Sequence, residues 1–236
     1  MFLNSFSFDI VGYTSIAVVS LIVLILTIFR PNLTKVLYVS LILRIIIIFI
    51  NTYVAPIPNS FGDTTNFQDI AYEWSQYNFI DLVYLFPAFT SNSISWLLAF
   101  FYFLFGFSQL LGHSLSLLFG MISIYMVWSV LNKIWGETVA NKTIWIFALF
   151  PTVVLYSCLI LREVYIIFFI IFVLDGIVDW YQKKKNCFIS SNFYWFYICD
   201  FFSYSNDFWI SCFFCNIIHA NLNNIIFKFE KLKLKS

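Results

Sequence analysis

Long stretches without a charged side chain recur along this chain and constrain its fold more than any other feature. A helix of about 20 apolar residues crosses the ~30 Å hydrocarbon core of a bilayer. The windows that meet this requirement are residues 10–29, 34–54, 113–131, 143–161 and 163–181. With 61% hydrophobic and 11% charged residues among 236, the chain carries more apolar side chain than a globule of its size can bury. We therefore predict an all-α fold, a polytopic transmembrane helix bundle whose partner is the lipid bilayer.

The positions of the charges predict which connections face the cytoplasm, because short cytoplasmic loops collect Lys and Arg. Three groups of basic residues lie at the ends of the predicted spans: Arg30 with Lys35, Lys133 with Lys142, and Lys183–Lys185. No Lys or Arg occurs from residue 45 to 132. If all three groups are cytoplasmic, residues 55–112 are extracytoplasmic, and a bacterial inner (plasma) membrane is the expected location. The short apolar run 94–107 then lies at the outer interface or re-enters from it. A net charge of +1 gives nucleic-acid binding no support.

The polar segment after Pro58 is the first place to look for chemistry. Asp63, Phe67, Ile70 and Ala71 recur at helical spacing, which predicts an interfacial amphipathic helix on the outer side. Asp69 and Glu73 fall on other faces of that helix. A carboxylate in a loop is most often only solvated, so Asp63 has both a catalytic and a structural interpretation.

Four further residues are candidates because of where they fall in the predicted spans. Arg44 lies near the middle of the second span, where an ionised side chain costs ~2.5–3.5 kcal/mol on insertion scales. It either faces the bundle and pairs with a lipid phosphate or a carboxylate, or snorkels from a tilted helix. Arg162 and Glu163 fall at the outer end of the last span, as does His113 at the start of the third. Their structural interpretations are an interfacial anchor and a helix cap.

The cysteines predict neither a metal centre nor a disulfide framework. Cys158 lies in an apolar run, and Cys212 and Cys215 have no second pair to complete a zinc site. The first apolar run has no Lys or Arg before it and no cleavage site after it, so we expect a retained helix.

Four segments together resemble the GT-C superfamily of membrane glycosyltransferases, such as the protein mannosyltransferases, over residues 36–181. They are FGDTTNFQDIAYEWS, the apolar segment ending LFGFSQLLGHSLSLLFG, the span ending LNKIWG, and ALFPTVVLYSCLILRE. The resemblance implies transfer of a sugar from a polyprenyl-phosphate-linked donor to an outer-face acceptor. It implies Asp63 as the catalytic general base, with a cation for the phosphate from Arg44, Arg162 or a divalent metal. The candidate substrate-binding residues are Arg44, Asp69, Glu73, His113, Arg162 and Glu163.

The resemblance covers only part of such an enzyme. Family members usually carry roughly twice as many spans, and this chain has an extra helix before the loop. Residues 1–185 are expected to form the N-terminal part. Residues 186–236 differ from them in amino-acid composition: four of the five Cys lie there, and no Leu occurs from residue 182 to 221. We interpret this tail as a frameshifted extension or, alternatively, as a genuine aromatic-rich helix pair. The 236-residue chain alone is then expected to be inactive.

Two other function classes remain open from the sequence. A transporter or polysaccharide flippase subunit would show broken helices and polar groups at mid-membrane. A non-catalytic membrane assembly protein would need no site at all.

Overall fold

A computed structural model describes residues 9–57, 60, 62–85 and 92–183 of the chain. The chain divides into two compact units, Met1–Ser203 and Tyr204–Ser236, and every described residue belongs to the first. All regular elements among the described residues are helical. The tail from residue 186, with its predicted change of reading frame, lies outside them.

The first two helices follow from local signals at their ends. Helix α1, Ile10–Phe29, begins where the carboxylate of Asp9 accepts the amide N–H of Gly12 at 2.8 Å, and it ends before Pro31. A short 3₁₀ turn, Pro31–Leu33, leads into α2, Thr34–Phe49, which continues as a π-helical turn, Ile50–Val54.

The predicted outer segment contains three shorter helices. They are α3, Asp63–Ser75, α4, Phe79–Tyr84, and the apolar α5, Ser93–Phe105. Helix α5 ends at Gly106, whose φ of 91° favours glycine, and it packs mainly against α3. The 27-residue α6, Gln109–Trp135, follows, with Ser108 as its N-cap.

The predicted span 143–161 is not continuous. Helix α7, Glu137–Leu149, and helix α8, Pro151–Cys158, meet at an angle of 60°. Pro151 has no backbone N–H to donate and disfavours helical geometry at Phe150, so the ladder breaks there. Helix α9, Arg162–Lys183, completes the described chain.

Three described helical segments are long and apolar enough to cross a membrane: Ile10–Phe29, Pro31–Val54 and Gln109–Trp135. The bent pair of α7 and α8 makes a fourth if it counts as one span. Helix α5 is apolar but shorter, and α9 has 22 residues with charges near both ends. These helices indicate a membrane protein, in line with the sequence prediction. The span predicted at 163–181 remains a prediction.

Two clusters of buried apolar side chains form the core. The first joins α1, α2, α6, α7 and α8. The second joins α3 and α5 to the first half of α6 and the first half of α9. Helix α6 contributes to both, so it is the central element. Large apolar side chains such as Val18, Leu21 and Ile146 stay exposed, which suits a surface in lipid.

Polar contacts define two ends of this bundle. At the basic end, the guanidinium of Arg30 lies 5.4 Å from the ring centre of Trp128, and Lys133 Nζ lies 2.7 Å from Asp175 Oδ1. At the opposite end, which we call the acidic end, α1 and α6 begin. There the hydroxyl of Ser108 donates to Asp9 Oδ2 at 2.6 Å.

Candidate functional site

Helix α3 divides its side chains between a buried stripe and an acidic face. Thr64, Phe67, Gln68 and Ala71 are buried, at the i, i+3, i+4, i+7 spacing of one helix face. The predicted amphipathic helix is therefore present, but its buried face starts at Thr64 and leaves Asp63 exposed. Asp69 and Glu73, four residues apart, share another exposed face.

Asp63 is the first residue of α3. Its N-cap, Gly62, has a φ of 91° and provides no capping side chain, so the carboxylate is the negative group nearest the unsatisfied amides of the first turn. This position gives Asp63 a structural role in starting the helix. It also keeps the carboxylate open to any molecule that approaches from outside.

Arg162 and Glu163 begin α9 and lie close to each other. Arg162 Nε lies 3.7 Å from Glu163 Oε1, and both side chains are about one third exposed. A cation at a helix N-terminus is unfavourable on its own, and the neighbouring carboxylate offsets this cost. Arg162 therefore keeps an accessible face for an anion.

Arg44 is completely buried inside the bundle, and its guanidinium is engaged by neutral groups. Nε donates to the hydroxyl of Ser157 at 2.6 Å, and Nη2 donates to the carbonyl oxygen of Ala148 at 3.1 Å. Nη1 donates to the carbonyl oxygen of Ser40 at 3.2 Å and also to its hydroxyl. No carboxylate in the described part of the chain lies within 4 Å of the guanidinium. Arg44 thus faces the bundle and does not snorkel.

His113 is equally buried, near the start of α6. Its Nδ1 lies 2.8 Å from the carbonyl oxygen of Cys158, so this nitrogen is the protonated donor and Nε2 is left as an acceptor. Nε2 has no hydrogen-bond partner among the described residues.

The two buried candidates meet on one element, α8. Arg44 binds Ser157 and His113 binds the next residue, Cys158, whose thiol donates back to the carbonyl oxygen of Arg44 at 3.6 Å. Sequence reasoning missed this convergence because the contacts join residues 45 to 114 positions apart. Pro151 is the one local feature of the sequence that points to these contacts. A helix interrupted inside a bundle leaves carbonyl oxygens without backbone donors, and side chains then supply them.

The candidates therefore form two groups in the structure, a buried polar centre and an accessible acidic face. No hydrogen bond or ion pair between described residues joins Asp63 to Arg44, His113 or Arg162. Within the same residues, no group of three or more His, Cys, Asp or Glu side chains is arranged to hold a metal ion. Comparison with protein-family models, with curated proteins and with solved structures gives no match to this chain.

Proposed function

We propose that this chain is the membrane-embedded part of a GT-C-like glycosyltransferase, a polytopic bundle that uses a polyprenyl-phosphate-linked sugar at its acidic end. The observation that carries the proposal is the geometry of α3. Its buried stripe fixes the helix against α5, and its first residue, Asp63, is an exposed carboxylate. A fixed, accessible carboxylate at the membrane surface is what proton abstraction from a sugar or lipid hydroxyl requires.

In the proposed reaction Asp63 is the general base. The acceptor oxygen forms a bond to the anomeric carbon, the bond from that carbon to the phosphate oxygen breaks, and the acceptor proton moves to Asp63. The leaving lipid phosphate carries the displaced electron pair and needs a cation. Arg162 fits this role better than Arg44, because Arg162 is partly exposed at the N-terminus of a 22-residue helix and Arg44 is enclosed. Asp69 and Glu73 are exposed and remain candidates for substrate contacts, whereas His113 is enclosed like Arg44.

The test is a transfer assay with a radiolabelled polyprenyl-phosphate sugar donor. The membranes contain the full-length protein that is encoded when the reading frame is restored after Lys185. We expect Asp63→Asn to lower the transfer rate by at least about 100-fold, the usual effect of removing a general base. The matched control is Asp81→Asn, which removes another exposed carboxylate, from α4. It should keep the rate within about twofold. Equal transfer by Asp63→Asn and the parent would remove Asp63 from the mechanism.

One observation favours the second candidate function, a transporter or flippase subunit. The α7–α8 pair is a broken helix, and the buried Arg44 of α2 donates to the Ala148 carbonyl oxygen just before the break. A flippase would move a fluorescent polyprenyl-linked sugar across a vesicle bilayer with its sugar–phosphate bond intact. Movement without cleavage would favour this second function, and cleavage without movement would favour the first.

A further inference from the structure

A groove of ≈ 250 Å³ lies between α1, α5 and α6 near the acidic end. Its lining includes Val11, Val18, Ile22, Phe101, Phe105 and Leu115. Val18 and Phe105 in the lining are exposed, so the groove is open at the surface of the bundle. Helices α1 and α6 are both long enough to cross a membrane, and such a surface would lie in lipid.

The surface of the groove is apolar even where its lining residues carry hydroxyl groups. The hydroxyl of Thr14 donates to the carbonyl oxygen of Ile10 at 2.8 Å, within its own helix. Ser15 and Ser114 make the same kind of bond, to carbonyl oxygens three residues earlier. These hydroxyls are therefore already satisfied and do not attract water into the groove. An alkyl chain suits such a surface.

A carboxylate lies beside the end of the groove: Asp9 is two residues before Val11, and it contacts Ser108, which is one turn before Leu111. Asp9 accepts the Gly12 amide and the Ser108 hydroxyl, and no described Lys or Arg lies within 4 Å of it. The positive end of α1 offsets only about half a unit charge. The sequence contains no Lys or Arg in residues 1–29 or 45–132, which include all the helices around the groove up to Asn132. A headgroup here meets net negative charge.

We propose that this groove holds an acyl chain of a zwitterionic phospholipid with a primary ammonium headgroup, of the phosphatidylethanolamine class. The apolar walls take the chain, and the ammonium group lies beside Asp9 at the end of α1, at headgroup depth. An anionic headgroup would face the same carboxylate, and no described Lys or Arg lies within 4 Å of Asp9 to offset the repulsion. This lipid is separate from the polyprenyl donor, and its binding is independent of the proposed function.

The experiment uses the full chain in vesicles that contain a photoactivatable phosphatidylethanolamine with a diazirine on its acyl chain. The comparison lipid is phosphatidylglycerol with the same labelled chain. After irradiation, peptide mass spectrometry maps the labelled residues. We expect labelling within residues 11–22 and 111–118, and about two- to fivefold more of it from phosphatidylethanolamine, the range for a partly exposed ion pair.

Two pairs of variants test the two halves of the proposal. Val18→Trp fills the groove from a side chain that is 56% exposed, whereas Leu21→Trp enlarges a side chain that is 59% exposed on α1 but not in the lining. We expect Val18→Trp to lower labelling severalfold and Leu21→Trp to leave it unchanged. Asp9→Asn keeps a capping oxygen but removes the charge, and it should abolish the preference between the lipids. Ser108→Ala removes one hydrogen bond of Asp9, keeps the charge, and should keep the preference.

Four results would overturn the proposal. The first is equal labelling of the parent by both lipids, and the second is a loss with Leu21→Trp as large as with Val18→Trp. The third is displacement of the labelled lipid by polyprenyl phosphate at lower concentration than by unlabelled phosphatidylethanolamine. The fourth is a dimer, detected by light scattering, that Val18→Trp dissociates, because a second copy would then be the occupant.

Discussion

The guanidinium of Arg44 donates a hydrogen bond to a carbonyl oxygen that the break between α7 and α8 leaves without a helical partner. Ala148 lies in the last turn of α7, where carbonyl oxygens have no amide donor from a following turn. The helix breaks before Pro151, so α8 does not continue the hydrogen-bond ladder of α7. Arg44 supplies a donor to that carbonyl and binds Ser157 on the other side of the break. An arginine can do this because its planar fork has five N–H groups.

Arg44→Lys tests this role at the level of one side chain. An ammonium group cannot reach Ser40, Ala148 and Ser157 together, so at least one buried acceptor loses its partner. We expect a loss of about 1–3 kcal/mol in the free energy of unfolding, measured by denaturant titration in detergent micelles. Arg30→Lys is the control, since Arg30 is exposed over Trp128 and should lose under about 1 kcal/mol. Equal stability of Arg44→Lys and the parent would contradict a bridging role.

The sequence located Arg44 but could not identify its partners. An unpaired cation in an apolar run is visible in one dimension, whereas Ala148 and Ser157 lie 104 and 113 residues away and carry no special signal. His113 is a similar case, because its partner is a backbone carbonyl, which any residue could provide. Asp63 differs in part, because the start of a helix at this residue follows from the local pattern, whereas its exposure depends on which face packs against α5.

At the scale of elements, α3 shows how far periodicity reaches. The spacing of Phe67 and Ala71 predicts an amphipathic helix, and both side chains are buried. The rest of the buried stripe is Thr64 and Gln68, whose Oγ1 and Nε2 atoms have no hydrogen-bond partner among the described residues. Hydropathy assigns such polar residues to the exposed face. Their burial is determined by the packing of α3 against α5, which the local sequence does not show. For the α7–α8 break the local sequence did contain the signal, which is Pro151. The apolar run 143–161 continues through this proline, and hydropathy alone therefore predicted one unbroken span.

The packing of α6 on α8 depends on Gly120. A Cβ atom at this position would lie 2.4 Å from Ser157 Cβ, closer than side chains approach each other. Gly120→Ala should therefore separate the two helices and lower the free energy of unfolding by about 1–3 kcal/mol in the same titration. Ser123→Ala in the same helix only removes a hydroxyl bonded to the Phe119 carbonyl, and it should cost about 0.5 kcal/mol or less.

A double variant separates contact from general helix effects. Ser157→Gly removes the atom that the new methyl group would meet, so its combination with Gly120→Ala should cost less than the sum of the two single changes. Strict additivity would show that Gly120 acts through α6 alone and would contradict the close approach to α8.

At the scale of the whole molecule, the contacts at the two ends bear on the parity of the spans. The sequence prediction placed all basic groups on one side of the membrane. Arg30 lies over Trp128, near the end of α6, and Lys133 pairs with Asp175 and Asp179 of α9 at 2.7 and 3.0 Å. The α1–α2 connection, the end of α6 and the end of α9 therefore lie at one end of the bundle. Which compartment this end faces is not encoded in such contacts and rests on the positive-inside rule.

Cysteine labelling in cells tests that orientation. Glu73 in α3 and Lys142 in α7 are both exposed, so a cysteine at either position should react readily once a reagent reaches it. A membrane-impermeant maleimide added to intact cells should label Glu73→Cys and leave Lys142→Cys unlabelled beyond the parent chain. After lysis, both variants should react. Labelling of both variants in intact cells would place α3 and the α6–α7 connection on one side. The apolar run 94–107 would then have to cross the membrane as a span of its own, and Lys133 and Lys142 would lie on the outer side, against the positive-inside rule.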